Sequence, residues 1–267
     1  MGLPEPSVAG TSVVTGASSG IGAAIAKELA SRGHSLTLVA RREERLRTLA
    51  TELTSAYGVV AEVIAADLGK PEGREQMVEE LRGSARVVEV LVNNAGFGHQ
   101  ADFATSPRER MVEMVDLNVG AVVDLTSRFL TGMVDRGRGS VINIASTAAF
   151  QPLPGSAVYA ASKSFVLSFS EAIRTELRGT GVTVTAVCPG PVKTEFTEVA
   201  GMGGVEDRTP SAVWMSAEEI AQHAVDGAVN DRRVVVPGAL NRASALVGQH
   251  SPRGLALPLI SRIWRNV

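Results

Sequence analysis

The stretch Ser12–Gly22 reads SVVTGASSGIG, a β-branched run that leads directly into a turn carrying glycines at 16, 20 and 22. Glycine in such a turn permits a tight bend and close backbone approach, and the unpaired N–H groups of a helix start favour an anion. An amphipathic stretch, Ile21 to Ser31, follows at once, so the turn lies between a strand and a helix. The same alternation continues with Ser35 to Val39 and Glu43 to Tyr57, Val59 to Ala65 and Pro71 to Leu81, then Val90 to Val92 and Pro107 to Met133. Val141 to Ala145, Val158 to Arg178, Thr183 to Val187, Ala217 to Val229 and Arg233 to Val236 complete it. Strand–helix repetition predicts βαβ units, here an α/β fold whose doubly wound, mainly parallel sheet of seven strands has helices on both faces. Ligands of such sheets bind beyond the carboxyl ends of the strands, where the strand order reverses. Residues just after strands are therefore the ones to read for function.

Composition narrows the class. A chain of 267 residues with 45% hydrophobic and 20% charged residues is ordinary globular material, and one domain over 9–250 is expected. The net charge of −2 offers no basic footprint for nucleic acid. A single thiol, Cys188, excludes an internal disulfide, and His34, His99, His223 and His250 lack metal-ligand spacing, so no metal is expected. The first ten residues show neither a secretory signal nor a myristoylation pattern, and no apolar run reaches ~18 residues. The expected location is cytoplasmic.

Two kinds of chemistry are written at the strand ends. An anion site is suggested by Gly16, Ser18, Ser19, Gly20 and Ile21. About twenty residues on, where a carboxylate would receive an unphosphorylated ribose, the chain carries Arg41 and Arg42. Guanidinium groups there suit a 2′-phosphate, which favours NADP (NADPH) over NAD. Asp67 and Leu68 follow the third strand and could meet an adenine edge, or Asp67 could be a helix cap. Asn94, Ala95 and Gly96 offer small residues and amides after the fourth. Tyr159 and Lys163 stand four apart, on one face if helical, with Ser146 thirteen residues before the tyrosine. A cation beside a phenol lowers its pKa, although the pair alone is equally a solvated surface pair.

Together the TGASSGIG turn, N93-N-A-G96, Asn118, Ser146, Y159-A-A-S-K163 and P189-G-P191 resemble the short-chain dehydrogenase/reductase family, in one register from about residue 9 to about 236. The resemblance implies a single Rossmann-type domain, a nicotinamide cofactor and hydride transfer at a carbonyl or secondary alcohol carbon. It implies that Tyr159 is the acid/base and that Ser146 holds the substrate oxygen. Lys163 would tune the tyrosine and hold the nicotinamide ribose, and Asn118 would tether a proton-supplying water chain through its backbone. It places Pro189, Gly190, Val192 and Thr194 beside the nicotinamide, and it implies a homodimer or homotetramer through the helices 107–133 and 158–178.

The family's substrate loop falls at about 195–216. Glycines at 201, 203 and 204 suggest a mobile lid, and Phe196, Met202, Val205, Trp214 and Met215 suggest an apolar pocket, with Phe97 and Phe150 pointing the same way or packing in the core. A small hydrophobic carbonyl or alcohol substrate is expected, with a lipid or 3-ketoacyl substrate, or a non-catalytic NADP-binding regulator, as alternatives. From Asp231 to Val267 six arginines and one aspartate give a local charge of +5. That segment, with its tail 251–267, reads as a packed C-terminal piece, a pocket cover, an oligomer contact or a peripheral membrane patch.

Overall fold

The structure, a computed structural model, describes residues 2–195, 211–252, 254, 257 and 258. Phe196, Met202, Val205, the glycines at 201, 203 and 204, and most of the tail 251–267 lie outside the described residues.

Seven strands form one sheet: β1 Gly10–Thr15, β2 Leu36–Ala40, β3 Ala61–Ala65, β4 Val87–Asn93, β5 Gly139–Ile144, β6 Val182–Val187 and β7 Val234–Val235. Their order is β3-β2-β1-β4-β5-β6-β7, and every pairing is parallel. The helices between them are α1 Gly20–Ser31, α2 Glu43–Tyr57, α3 Pro71–Gly83, α4 Arg108–Val115, α5 Ala121–Asp135, α6 Ala157–Glu176, α7 Ala217–Val229 and α8 Ala239–His250. The chain winds outward from β1 to β3, then returns to begin again at β4. The carboxyl ends of β1 and β4 therefore flank the reversal in strand order, the place where such sheets take ligands.

Period-two alternation distributes the strand side chains between two cores. Val14, Val92 and Ile142 face the layer of Ile25 and Leu29 from α1, Leu46 and Leu53 from α2, and Ile220 from α7. Their sequence neighbours Val13, Leu91 and Val141 face Met77 from α3, Leu125 and Met133 from α5, and Ile173 from α6. Both faces of the central strands are covered, which explains their nearly unbroken apolar sequence. Ile142 is fully buried. Ile142→Val should lower the unfolding free energy in urea by about 0.5–1.5 kcal/mol through one lost methylene.

Three boundaries differ from the sequence expectation. The long helix expected over 107–133 is divided: α4 and α5 are joined by a π turn, Asp116–Gly120. The last strand is two residues long rather than four, because only Val234 and Val235 pair with β6. The C-terminal segment forms α8 over Ala239–His250, entered through Gly238 at φ +83 and anchored by buried Asn241 and Ala245, four apart on one face.

Candidate active site

α6 carries Tyr159 and Lys163 one turn apart, and both are buried, at 9% and 6% exposure. Ser146 follows β5 in extended backbone and turns its hydroxyl back to accept the Ala148 N–H at 3.1 Å. That hydroxyl is also hydrogen-bonded to the Tyr159 phenol. The Lys163 ammonium donates to the Ile144 carbonyl at 2.8 Å, and its Nζ stands 5.9 Å from the tyrosine ring centre. The three side chains predicted from spacing are therefore assembled across the end of β5.

Electrostatics at this cluster depart from the expectation that Lys163 lowers the phenol. Burial pushes Tyr159 above its ordinary value, and the Ser146 hydrogen bond opposes this. Burial also brings Lys163 down to about 8, which weakens its hold on the charged state. Both groups lose hydration, and loss of hydration disfavours whichever form is charged. A phenol kept protonated is a proton donor. Below it Cys188 is pushed up to about 12 by burial and is inert as a nucleophile.

Asn118 lies in the π turn and is buried. Its Nδ2 donates to the Phe97 carbonyl at 3.0 Å and to Ser162 Oγ at 3.1 Å, while its Oδ1 accepts the Phe97 N–H at 3.1 Å. Ser162 in turn donates to the Tyr159 carbonyl at 2.7 Å. Asn118 thereby ties the loop after β4 to the backbone of the tyrosine turn. A single π turn within a helix frequently marks a functional position.

On the other side of the sheet end, Gly16 and Gly20 take positive φ of 67 and 55, and a Cβ on Gly22 would lie 2.4 Å from the Gly16 carbonyl oxygen. Ser19 precedes α1 without capping it through its side chain, so the first-turn N–H groups are left for an anion. Ile21 stands in that turn. Asn94 donates to the Thr15 carbonyl at 2.9 Å, and the Thr15 hydroxyl accepts the N–H groups of Asn94 at 2.9 Å and Ala95 at 3.0 Å. Asn94 and Ala95 thus hold the strand ends of β1 and β4 together. A Cβ on Gly96 would come 2.8 Å from Asn118 Oδ1 and 3.6 Å from Lys163 Nζ. That glycine links the turn to the tyrosine cluster.

The residues after β6 close this ring. Pro189 accepts the Thr147 N–H at 2.8 Å, Gly190 lies under the Asn241 side chain of α8, and Val192 bridges to Met215. Thr194 packs on Gly20, whose added Cβ would meet Thr194 Cγ2 at 3.2 Å. A cleft of about 570 Å³ opens here, lined among others by Ser19, Gly20, Thr194, Glu195, Trp214 and Met215. Arg42 donates to Ser18 Oγ at 3.2 and 3.1 Å and to Ser19 Oγ at 2.7 Å, while its Nη1 reaches Glu195 at 2.8 Å. Arg45 binds the other oxygen of Glu195 at 2.6 Å. The donor set therefore fits an anionic dinucleotide.

Arg41 is exposed and makes no side-chain hydrogen bond or ion pair among the described residues, while Arg45, one helical turn beyond Arg42, makes a second guanidinium contact to Glu195. Asp67 accepts the Gly69 N–H at 3.2 Å in a local turn rather than capping α3, whose cap position is Lys70, and Leu68 is buried with its carbonyl held by Arg74 at 2.9 Å. Trp214 and Met215 border the start of α1, and Met215 packs on the core beside α7, because its backbone pairs with the segment after β6. Phe97 joins Met111, Met114 and Leu153 around Tyr159, whereas Phe150 packs with Ala145 and Val166. Asn241 and Ser162 carried no sequence signal. Among the described residues no His, Cys, Asp and Glu group could hold a metal, and no helix is long and apolar enough to cross a membrane.

Comparison with known proteins agrees with this geometry. The family model described as short chain dehydrogenase matches residues 11–202. Sulfoacetaldehyde reductase 2 of Chromohalobacter salexigens is 38% identical over 223 residues, 79% of this chain and 84% of that protein. The very-long-chain 3-oxoacyl-CoA reductase of Anas platyrhynchos is 37% identical over 201 residues, 73% of this chain and 64% of its own length. Among solved structures, a short-chain dehydrogenase from Sphingobium yanoikuyae in complex with NADPH superposes with a TM-score of 0.81 at 35% identity, over 93% of this chain and 95% of that one.

Proposed function

The chain belongs to the short-chain dehydrogenase/reductase family, and from that premise we propose that it uses NADPH to reduce a hydrophobic carbonyl compound to a secondary alcohol. The observation that carries the reading is the hydrogen-bonded pair of Ser146 and Tyr159 hydroxyls, with Lys163 one turn on, beside Met111, Met114, Phe97 and Leu153. NADPH would supply the hydride when bound. Ser18, Ser19, Gly20, Ile21 and Thr194 would line the pyrophosphate and nicotinamide side, Arg41 and Arg42 would take the 2′-phosphate, and Asp67 with Leu68 would meet the adenine end. Asn94 and Ala95 shape the turn under it.

In this reading the substrate oxygen takes the proton of the Tyr159 hydroxyl as its carbon receives hydride, so carbonyl plus hydride plus proton gives the alcohol. Ser146 donates to the same oxygen and stabilises the negative charge that develops there. Lys163 would hold the nicotinamide ribose, while Asn118 fixes the tyrosine turn. Burial keeps the phenol protonated beforehand, which suits it to act as the acid in reduction. The reverse reaction would need the phenolate first.

The names of the two relatives put a small sulfonated aldehyde and a long acyl thioester within similar identity, so the apolar wall around Tyr159 is the better guide to substrate. The test is NADPH consumption by purified protein against aliphatic aldehydes, quinones, steroid ketones and 3-ketoacyl thioesters. Turnover of apolar ketones supports the reading, and turnover confined to charged aldehydes rejects it. Ser146→Ala should lower kcat about 10²-fold with KM little changed, since the donor acts mainly on the transition state. Exposed Val112, Val115, Val123 and Phe165 on α4, α5 and α6 support a homo-oligomer formed through those helices.

A further inference from the structure

Glu195 follows Thr194 in the segment after β6, and it reaches across to the start of α2. Its two carboxylate oxygens are divided between two guanidinium groups, Oε2 to Arg42 Nη1 at 2.8 Å and Oε1 to Arg45 Nη1 at 2.6 Å. Arg42 is simultaneously fixed from the other side by the hydroxyls of Ser18 and Ser19. An anion thus already sits on the cationic pair beside the glycine turn. We propose that Glu195 is a displaceable counter-ion that sets cofactor choice: the 2′-phosphate of NADP(H) replaces its carboxylate on Arg42 and Arg45, and NAD(H), lacking that phosphate, does not.

Three observations support this. All three side chains are roughly half exposed, at 43–49%, so the ion pairs are screened by water and inexpensive to break. A phosphate dianion carries more charge and more acceptor oxygens than a carboxylate and matches two guanidinium forks better. The arginines hold the Glu195 carboxyl well below the usual carboxylate range, down to about 2, so it stays an anion across the working pH range and does not vacate the pair by protonation. The carboxylate keeps both guanidiniums turned toward the site, and its presence weakens phosphate binding by the cost of its own departure. Arg45 thereby becomes a specificity residue on the same footing as Arg42. Thr194, next to Glu195, lies on Gly20, so the exchange takes place at the edge of the turn itself.

This rests on the cofactor reading above, and direct binding separates the two. Dissociation constants for NADPH, NADH and 2′-phosphoadenosine fragments would be measured by fluorescence and calorimetry on wild type, Glu195→Gln and Arg45→Ala, with melting curves to check folding. The expected result is that Glu195→Gln tightens NADPH and the phosphorylated fragment about two- to fivefold, as exposed pairs allow, and leaves NADH unchanged. Arg45→Ala should weaken NADPH about tenfold and leave NADH unchanged. A wild type that prefers NADPH while Glu195→Gln binds it equally or more weakly overturns this proposal alone. Equal shifts for NADPH and NADH also overturn it. A wild type that binds NADH as tightly as NADPH overturns the cofactor reading and this proposal together.

Discussion

Tyr159→Phe should reduce kcat with any accepted ketone by about 10²- to 10⁴-fold, the range of a lost general acid, while NADPH still binds. The substitution removes one hydroxyl and keeps the ring among Met111, Met114 and Ala160, so packing is retained. Ser146 would retain its bond to the Ala148 N–H, and Lys163 its bond to the Ile144 carbonyl. Loss of turnover with unchanged cofactor affinity and a melting temperature lowered by only about 2–4 °C, for the one hydrogen bond to Ser146, is therefore the expected pattern. Stopped-flow measurement of hydride transfer checks it, and a variant that transfers hydride at the wild-type rate would remove Tyr159 from the chemistry.

The second large effect is on the framework. Asn118→Leu should cost about 2 kcal/mol of stability, because the Phe97 N–H and carbonyl both lose their partner in a partly buried place, at roughly 1 kcal/mol each. Leucine fills the volume but supplies neither donor nor acceptor. Urea unfolding would measure the loss. Activity should fall beyond what the fraction unfolded explains, since the loop after β4 and the Tyr159 turn are joined through Asn118 and Ser162. Asn118→Asp, which keeps the acceptor for the Phe97 N–H, should recover part of the stability. Equal stability of Leu and Asp variants would show that these hydrogen bonds contribute little.

Most of the fold could be read locally. The glycine turn, the alternation of β-branched runs with amphipathic stretches and the four-residue step from Tyr159 to Lys163 are each properties of neighbouring residues. Glycine spacing fixes a bend, and periodicity fixes which face is buried. The doubly wound arrangement followed from the same repetition, because parallel strands joined through helices must be covered on both faces, whereas the strand order came from the structure. The motif order added the family and, through it, the roles assigned to Ser146, Asn118 and Thr194.

What local reading could not supply were contacts between residues far apart in the chain. Glu195 meets Arg42 across 153 positions and Arg45 across 150, so neither pair leaves a trace in spacing. Asn241 covers Gly190 only because α8 returns over the segment after β6. The direction of the Tyr159 shift was likewise a tertiary outcome. Sequence places an ammonium one turn from a phenol, which argues for a lowered pKa, but it does not say that both are buried and that the ammonium is spent on the Ile144 carbonyl. The sequence by itself thus determined the sheet, the turn and the chemical groups at the strand ends, since these depend on short-range geometry. The tertiary structure alone decided the direction of the tyrosine's pKa shift and the partner of the arginines, since desolvation and long-range ion pairing exist only once the chain has packed.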